Sequence, residues 1–234
     1  MCFSGLHFGH YISMIDHQGL SGLYADFLDL VLATGTVLSR WAKGLSVMLE
    51  KIKGNINVDK LRAILLMEAD YNFVSKLLLG VRLTQIIEDR KGFPEELGGS
   101  RKNHEAVDIA LNWRITSDIL RQLRRPGTIT GVDAASCYDR IVHSIVILIA
   151  RQQGLSLLPL LSFFGTIQNM IYHVRTGHGE SEGSYGGTKE VPFQGTCQGN
   201  GAIPDYWLLI SMIMVLLMHK GGHAMSITYP ITRE

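Results

Sequence analysis

Apolar residues recur at three- and four-residue steps along much of the chain, the spacing that lines one face of a helix. Over residues 20–52 the set Val37, Trp41, Leu45, Met48 and Ile52 predicts a mostly helical stretch. The pattern then changes to an unbroken apolar run, Leu61 to Met67 (LRAILLM), which fits a buried strand. Asp70-Tyr71-Asn72 reads as a turn or cap, and Phe73, Leu77 and Val81 mark one face of a further helix. Residues 91–101 (KGFPEELGGSR) form a loop by their Pro and Gly content. Val107, Leu111, Ile115, Ile119 and Leu123 step by four along a helix that ends near Arg124-Arg125-Pro126-Gly127.

The second half opens with Thr128 to Val132, a short strand ending at Asp133. Tyr138, Ile141, Ile145 and Leu148 continue as a helix that stops at Gly154, and residues 159–172 predict another. Residues 173–194 suit a hairpin with 177–183 as its turn. A Gly-rich loop over Gln194 to Pro204 feeds a last helix, with Pro204 suited to the first turn. Helices interleaved with few strands predict an α+β protein, mostly helical with a small antiparallel sheet, in two lobes over residues 1–125 and 126–234.

Composition narrows the class. The chain has 234 residues, 46% hydrophobic and 18% charged, which excludes a disordered polyelectrolyte. Three cysteines (Cys2, Cys137 and Cys197) make no CxxC pair, so neither a disulfide-stapled secreted domain nor a structural zinc site is indicated. The N-terminus has no basic segment followed by a long apolar one, and an intracellular setting, cytoplasmic or nuclear, is expected. Tyr206 to Met218 is the most apolar stretch; at 13 residues it is short for a membrane span and predicts a buried core helix. The net charge of +1 hides an asymmetry. Residues 1–39 carry −3, residues 40–125 carry +5 and residues 126–234 carry −1. A basic middle permits a polyanionic partner or is simply a solvated surface.

Two segments carry the candidate chemistry. In Val132-Asp-Ala-Ala-Ser-Cys-Tyr-Asp-Arg-Ile141, a carboxylate at a strand end followed by small residues suits a divalent cation, although an Asp there is also an ordinary turn former. In Phe193-Gln-Gly-Thr-Cys-Gln-Gly-Asn-Gly-Ala-Ile-Pro204, glycines permit close backbone approach, and the following helix start offers free N–H groups to an anion. Gln198 there could hydrogen-bond a sugar or base edge.

Taken together, the two segments resemble motifs A and B of the reverse transcriptase domain of non-LTR (LINE-like) retrotransposons. Asp133-Ala-Ala-Ser-Cys-Tyr-Asp139 matches motif A, Gln198-Gly-Asn-Gly-Ala-Ile-Pro204 matches motif B, and their order and 65-residue separation suit that family. Lys60-Leu-Arg-Ala-Ile-Leu-Leu66 and Leu97-Gly-Gly-Ser-Arg-Lys102 are similar to fingers motifs, and Ser4 to His10 to the segment ahead of them. The resemblance implies the fingers and an incomplete palm of a right-hand polymerase, with RNA-directed DNA synthesis as the parent activity. It implies that Asp133 is the catalytic metal ligand for Mg²⁺, helped by the carbonyl of Ala134. Tyr138 would lie beneath the incoming sugar, Gln198 and Gly199 would line the nucleotide and template pocket, and Arg62 and Arg101 would lie against the triphosphate. The implied partners are an RNA template, a DNA primer and a dNTP, with no membrane.

The departures from that family carry equal weight. No aromatic-x-Asp-Asp motif C follows Pro204, where Asp205 and Glu234 are the only acidic residues, and no thumb follows either. Ile203 also stands where Ser usually precedes the motif B proline. A two-metal site with one carboxylate does not polymerise, so an inactive fragment is expected, with a non-catalytic nucleic-acid-binding remnant as the alternative. Asp139 reads as structural, turned away from Asp133. Cys137 and Cys197 read as buried thiols. His219 and His223 have metal-ligand spacing, but the glycines between them break the helix that would align the pair.

Overall fold

The computed structural model describes residues 4–222 apart from 128–133, 189 and 197. Two N-terminal helices, α1 (Phe8–Ile15) and α2 (Gln18–Thr34), precede a strand pair, β1 (Lys43–Glu50) and β2 (Leu61–Leu66). A long helical segment follows as α3 (Ala69–Ser75), a π-helical stretch (Lys76–Leu83) and α4 (Thr84–Asp89). Then come α5 (Ala106–Gln122), a 3₁₀ turn (Cys137–Arg140), α6 (His143–Gln152), α7 (Leu157–Gln168), the hairpin β3 (Ile171–Thr176) and β4 (Gly179–Gly186), and α8 (Ile203–Lys220). The α+β class is as expected. The proposed strand over 128–132 lies outside the described residues.

The sheet order is β2-β1-β3-β4, with two strands from each side of residue 125. β1 runs antiparallel to β2, from Leu45 opposite Leu66 to Glu50 opposite Leu61. It runs parallel to β3, from Lys43 opposite Ile171 to Val47 opposite Arg175. β3 and β4 form the expected hairpin, closed at Gly177-His178 rather than across 177–183. The sheet is therefore mixed, not antiparallel. A connection of 120 residues, β2 and then helices, separates β1 from β3, and a long crossover of that kind brings a returning strand in alongside the first in the same direction.

Four expected helices need correction. The stretch 20–52 is not one helix. Gly35, at φ +68°, ends α2 in a left-handed cap, and residues 43–50 form a strand. β1 sits inside the sheet and buries Leu45 and Ser46, which face opposite sides, so its apolar residues run together and mimic helical spacing. On residues 69–89 the stripe Phe73–Val81 is the wrong face. Those two side chains are exposed, and Tyr71, Val74, Leu79, Leu83 and Ile87 are the buried ones. The helix ahead of Gly154 starts at His143, with Tyr138 in the separate 3₁₀ turn, while Tyr172 belongs to β3 rather than α7.

An aromatic chain runs through the core. Trp41 lies 5.4 Å from Tyr71, Tyr71 lies 6.2 Å from Phe163, and Phe164 lies 5.4 Å from Tyr206. The Tyr71 hydroxyl donates to the Phe163 carbonyl at 3.1 Å, which ties α3 to α7. Beside this core is a buried ionic corner. Arg40 is held by Asp70, Tyr24 also donates to Asp70, and Glu68 accepts from the Ser4 amide and hydroxyl at 3.0 and 2.8 Å. Burial works against the charge of Arg40, but the charge and hydrogen bond of Asp70 outweigh it and raise its pKa.

α5 buries no residue, and Val107, Leu111 and Trp113 are exposed. α8 is split: Tyr206, Leu208, Leu209 and Met212 are buried, whereas Leu217 and Met218 face outward. Over its 18 residues, mean hydropathy 1.3, it is the one described helix long and apolar enough to cross a membrane by length and composition. Only its N-terminal half behaves as the expected core helix.

Candidate nucleotide pocket

At the turn end of the β1–β2 pair lies a cavity of about 490 Å³. β2 contributes Arg62 and Ala63, and Lys51 projects from the end of β1. The 3₁₀ turn and the residues before it add Ala134, Cys137, Tyr138 and Asp139. Gln198 closes the third side, with Tyr185 and Phe193 as aromatic wall. Residues far apart in the chain thus converge on one space containing two cations, one carboxylate, an amide and aromatic rings, a chemistry suited to a polar and partly planar ligand whose anionic part lies towards Lys51 and Arg62.

The loop carrying Gln198 is held at several points. The Leu65 amide donates to the Gln198 carbonyl at 2.6 Å, which satisfies a backbone donor on the otherwise open side of β2. Gly199 stands at φ +132°, and a Cβ there would run into the Leu65 carbonyl, so the position requires glycine twice over. Asn72 of α3 reaches across to accept from the Gly201 amide at 2.5 Å and to donate to the Gly199 carbonyl at 3.3 Å. Earlier in the loop, the Thr196 amide donates to the Tyr138 carbonyl at 2.8 Å. At Gly195, φ +76°, a Cβ would stand 2.7 Å from the Asp139 backbone. The two resemblance-bearing segments are therefore packed directly on each other.

The turn beside Tyr138 is itself constrained. Ser136 adopts the left-handed conformation (φ 49°, ψ 46°) and accepts from the Asp139 amide at 3.0 Å. A non-glycine residue there costs about 1–2 kcal/mol, and such strain is often kept where it aims a side chain. It puts Tyr138 and Asp139 side by side at the cavity. Asp139 is exposed and lines the space, whereas Cys137 is half-buried rather than buried. Asp133 and Cys197 lie outside the described residues.

The residues expected to form a site divide in two. Arg62, Ala134, Tyr138 and Gln198 line the one cavity, and Gly199 fixes its rim. Arg101 does not join them. Its Nε and Nη2 bind the two oxygens of Glu88 at 2.7 and 2.9 Å, and its Nη1 binds the carbonyls of Pro94 and Leu97 at 3.0 and 2.8 Å. Every guanidinium nitrogen is thus spent on closing the 91–101 loop onto α4. The Arg101 hydrogen bond holds the Glu88 carboxyl below its usual range. Lys51 and Tyr185 belong to neither of the two motif segments, and Phe193 stands at the edge of the second. Only the strand register brings Lys51 near Arg62, through the Lys51 amide bond to the Lys60 carbonyl at 3.2 Å.

Among the described residues, no group of three or more His, Cys, Asp or Glu side chains could hold a metal ion. His219 lies 2.8 Å from Glu96 and is engaged there. His223 lies outside the described residues. Asp205, the acidic residue closest after motif B, accepts from the Thr84 hydroxyl at 3.1 Å and does not line the cavity. Burial raises its pKa, with the Thr84 hydrogen bond opposing. Compared with protein-family models and with curated proteins, the chain matches none.

Proposed function

We propose that the chain is a reverse-transcriptase-like domain fragment whose cavity takes a nucleoside triphosphate without polymerising it. One observation carries this reading: Arg62, Ala134, Tyr138 and Gln198, four of the seven residues implied by the resemblance, line the same cavity of about 490 Å³. Arg62 and Lys51 supply charge for a polyphosphate, Tyr138 supplies a flat surface for the sugar, and Gln198 supplies an amide for a base or sugar edge. Mg²⁺, implied by the same resemblance, would rest on Asp133 and the Ala134 carbonyl. The described residues alone do not make a metal site, and no step of this reading passes through one.

The non-polymerising half of this reading is supported within residues 205–220, where the acidic residue is Asp205 and its carboxylate accepts from Thr84 instead of lining the cavity. The test is a titration with a fluorescent dNTP, followed by primer extension on an RNA template with Mg²⁺. Micromolar to millimolar binding that weakens about tenfold in Arg62→Ala, with no extension, supports the reading. No binding at low salt overturns it, and extension abolished by Asp133→Asn overturns its second half.

The alternative, a non-catalytic RNA-binding remnant, draws on Arg121, Arg124 and Arg125, all exposed at the C-terminal end of α5. It predicts steeply salt-dependent RNA binding that Arg62→Ala leaves largely unchanged.

A further inference from the structure

His143, the first residue of α6, is buried at 3% exposure and packs 4.9 Å from the Phe164 ring. Both ring nitrogens are used. Nε2 lies 2.5 Å from the Gly195 carbonyl, and Nδ1 lies 3.1 Å from Nε2 of Gln168 at the end of α7. A carbonyl only accepts, so the Gly195 contact places the proton on Nε2. In the neutral ring, Nδ1 then accepts from the Gln168 amide. The same Gln168 accepts from the Phe193 amide through its backbone carbonyl at 3.4 Å. His143 and Gln168 thus grip residues 193–195 from below, while Tyr138 and Leu65 hold residues 196 and 198 from the cavity side.

We infer that His143 is a positioning residue for the Gln198 loop, and that a proton taken up on its Nδ1 releases this hold. The inference rests on the hydrogen-bond geometry and does not require that the cavity bind a nucleotide. A second N–H on the ring would point at the amide nitrogen of Gln168, donor against donor. Relief requires that Gln168 rotate its amide and that a charged ring stay buried. The ionisable groups on the described elements around it are Cys137, Tyr138, Asp139 and Arg140 on the 3₁₀ turn, Arg151 on α6 itself, and Asp205, Tyr206, His219 and Lys220 on α8. No hydrogen bond of His143 goes to any of them. Burial lowers the His143 pKa, and the Gly195 hydrogen bond only partly offsets that. Among the described residues no carboxylate is hydrogen-bonded to the ring, and moving the loop is the way an imidazolium there reaches water.

The test is amide hydrogen exchange of the peptide spanning residues 193–201, from pH 8 to pH 5, corrected for the intrinsic pH dependence of exchange. The amides of β1 and β2 serve as an internal standard for global unfolding. In the unmutated chain, loop protection is expected to hold above pH 6.5. Below about pH 6.5, the ordinary value of a released imidazole, it should fall by up to tenfold per pH unit and level off once the folded-state pKa of His143 is passed, while the strand amides keep theirs. His143→Gln retains an N–H for Gly195 and does not titrate, so its loop protection should be flat with pH. His143→Phe fills the space against Phe164 and should be less protected at every pH. Loop protection of the unmutated chain that does not change between pH 8 and pH 5 overturns the inference. So does a His143→Gln variant with the same pH dependence as its parent. Because the first result needs no variant, a misfolded mutant does not shield the idea.

Discussion

The backbone N–H of Leu65 donates to the carbonyl of Gln198 at 2.6 Å, so the Gly-rich loop caps the outer strand of the sheet. Gly199 stands at the point of contact, at φ +132° and against the Leu65 carbonyl. Gly199→Ala should therefore destabilise the fold by about 1–3 kcal/mol through backbone strain, with further loss from the clash. Urea unfolding reads this directly. An unchanged midpoint would mean that the loop stands off the strand.

Asn72 ties α3 to the same loop through Gly199 and Gly201. Asn72→Ala removes one donor and one acceptor and should cost about 1–3 kcal/mol. It should also speed hydrogen exchange at residues 199–201 more than at β3. Equal exchange in both segments would assign the loss to general destabilisation.

The two arginines implied as triphosphate contacts should separate by experiment. Arg62 is exposed at the cavity, and Arg62→Ala should leave the unfolding midpoint within about 0.5 kcal/mol while weakening dNTP binding. The Arg101 side chain is 9% exposed and fully engaged with Glu88 and two carbonyls. Arg101→Ala should cost about 2–4 kcal/mol in stability and leave nucleotide affinity of the folded fraction intact. The reverse assignment, affinity lost with Arg101 and stability with Arg62, would contradict the geometry.

Two groups set the acid side of the stability profile in separate windows. The folded-state pKa of His143 is lowered, so its environment is fully tolerated above pH about 6.5, and stability falls as pH drops below that value. The Glu88 carboxyl is also held low, by Arg101, so its contribution is present above pH about 4.3 and is lost as pH falls through the folded value. Thermal melts from pH 8 to pH 3 should show both limbs. His143→Gln removes the first and Glu88→Gln the second, and a first limb that survives in His143→Gln would point to another group.

Exposure decides the last contrast. Leu111 on α5 is 54% exposed and Phe163 on α7 is fully buried. Leu111→Glu should change stability by no more than about 0.5 kcal/mol, whereas Phe163→Ala should cost about 3–5 kcal/mol. A large loss at Leu111 would show that α5 is covered in solution.

The sequence by itself determined the local features whose causes are local. The strand within the run Leu61–Met67, the Pro-led start of α8, the Gly154 stop and the existence of a hairpin after α7 follow from residues in direct succession, whereas the hairpin's extent, 171–186 instead of 173–194, does not. So does the pairing of an Asp-rich turn with a Gly-rich loop as the place to seek chemistry. What only the tertiary structure decided depends on contacts between distant segments. Strand β1 carries the spacing of a helix, and only burial between β2 and β3 makes it a strand. Phe73 and Tyr71 are equally plausible core residues by period, and only the packing of α7 and α8 selects Tyr71. Arg62 and Arg101 are both basic residues near fingers-like motifs. Glu88 and two loop carbonyls claim one of them, and the register of β1 with β2 leaves the other at the cavity beside Lys51. Periodicity reports that a face is apolar, but which face is covered, and which charge remains free, is set by what arrives from elsewhere in the chain.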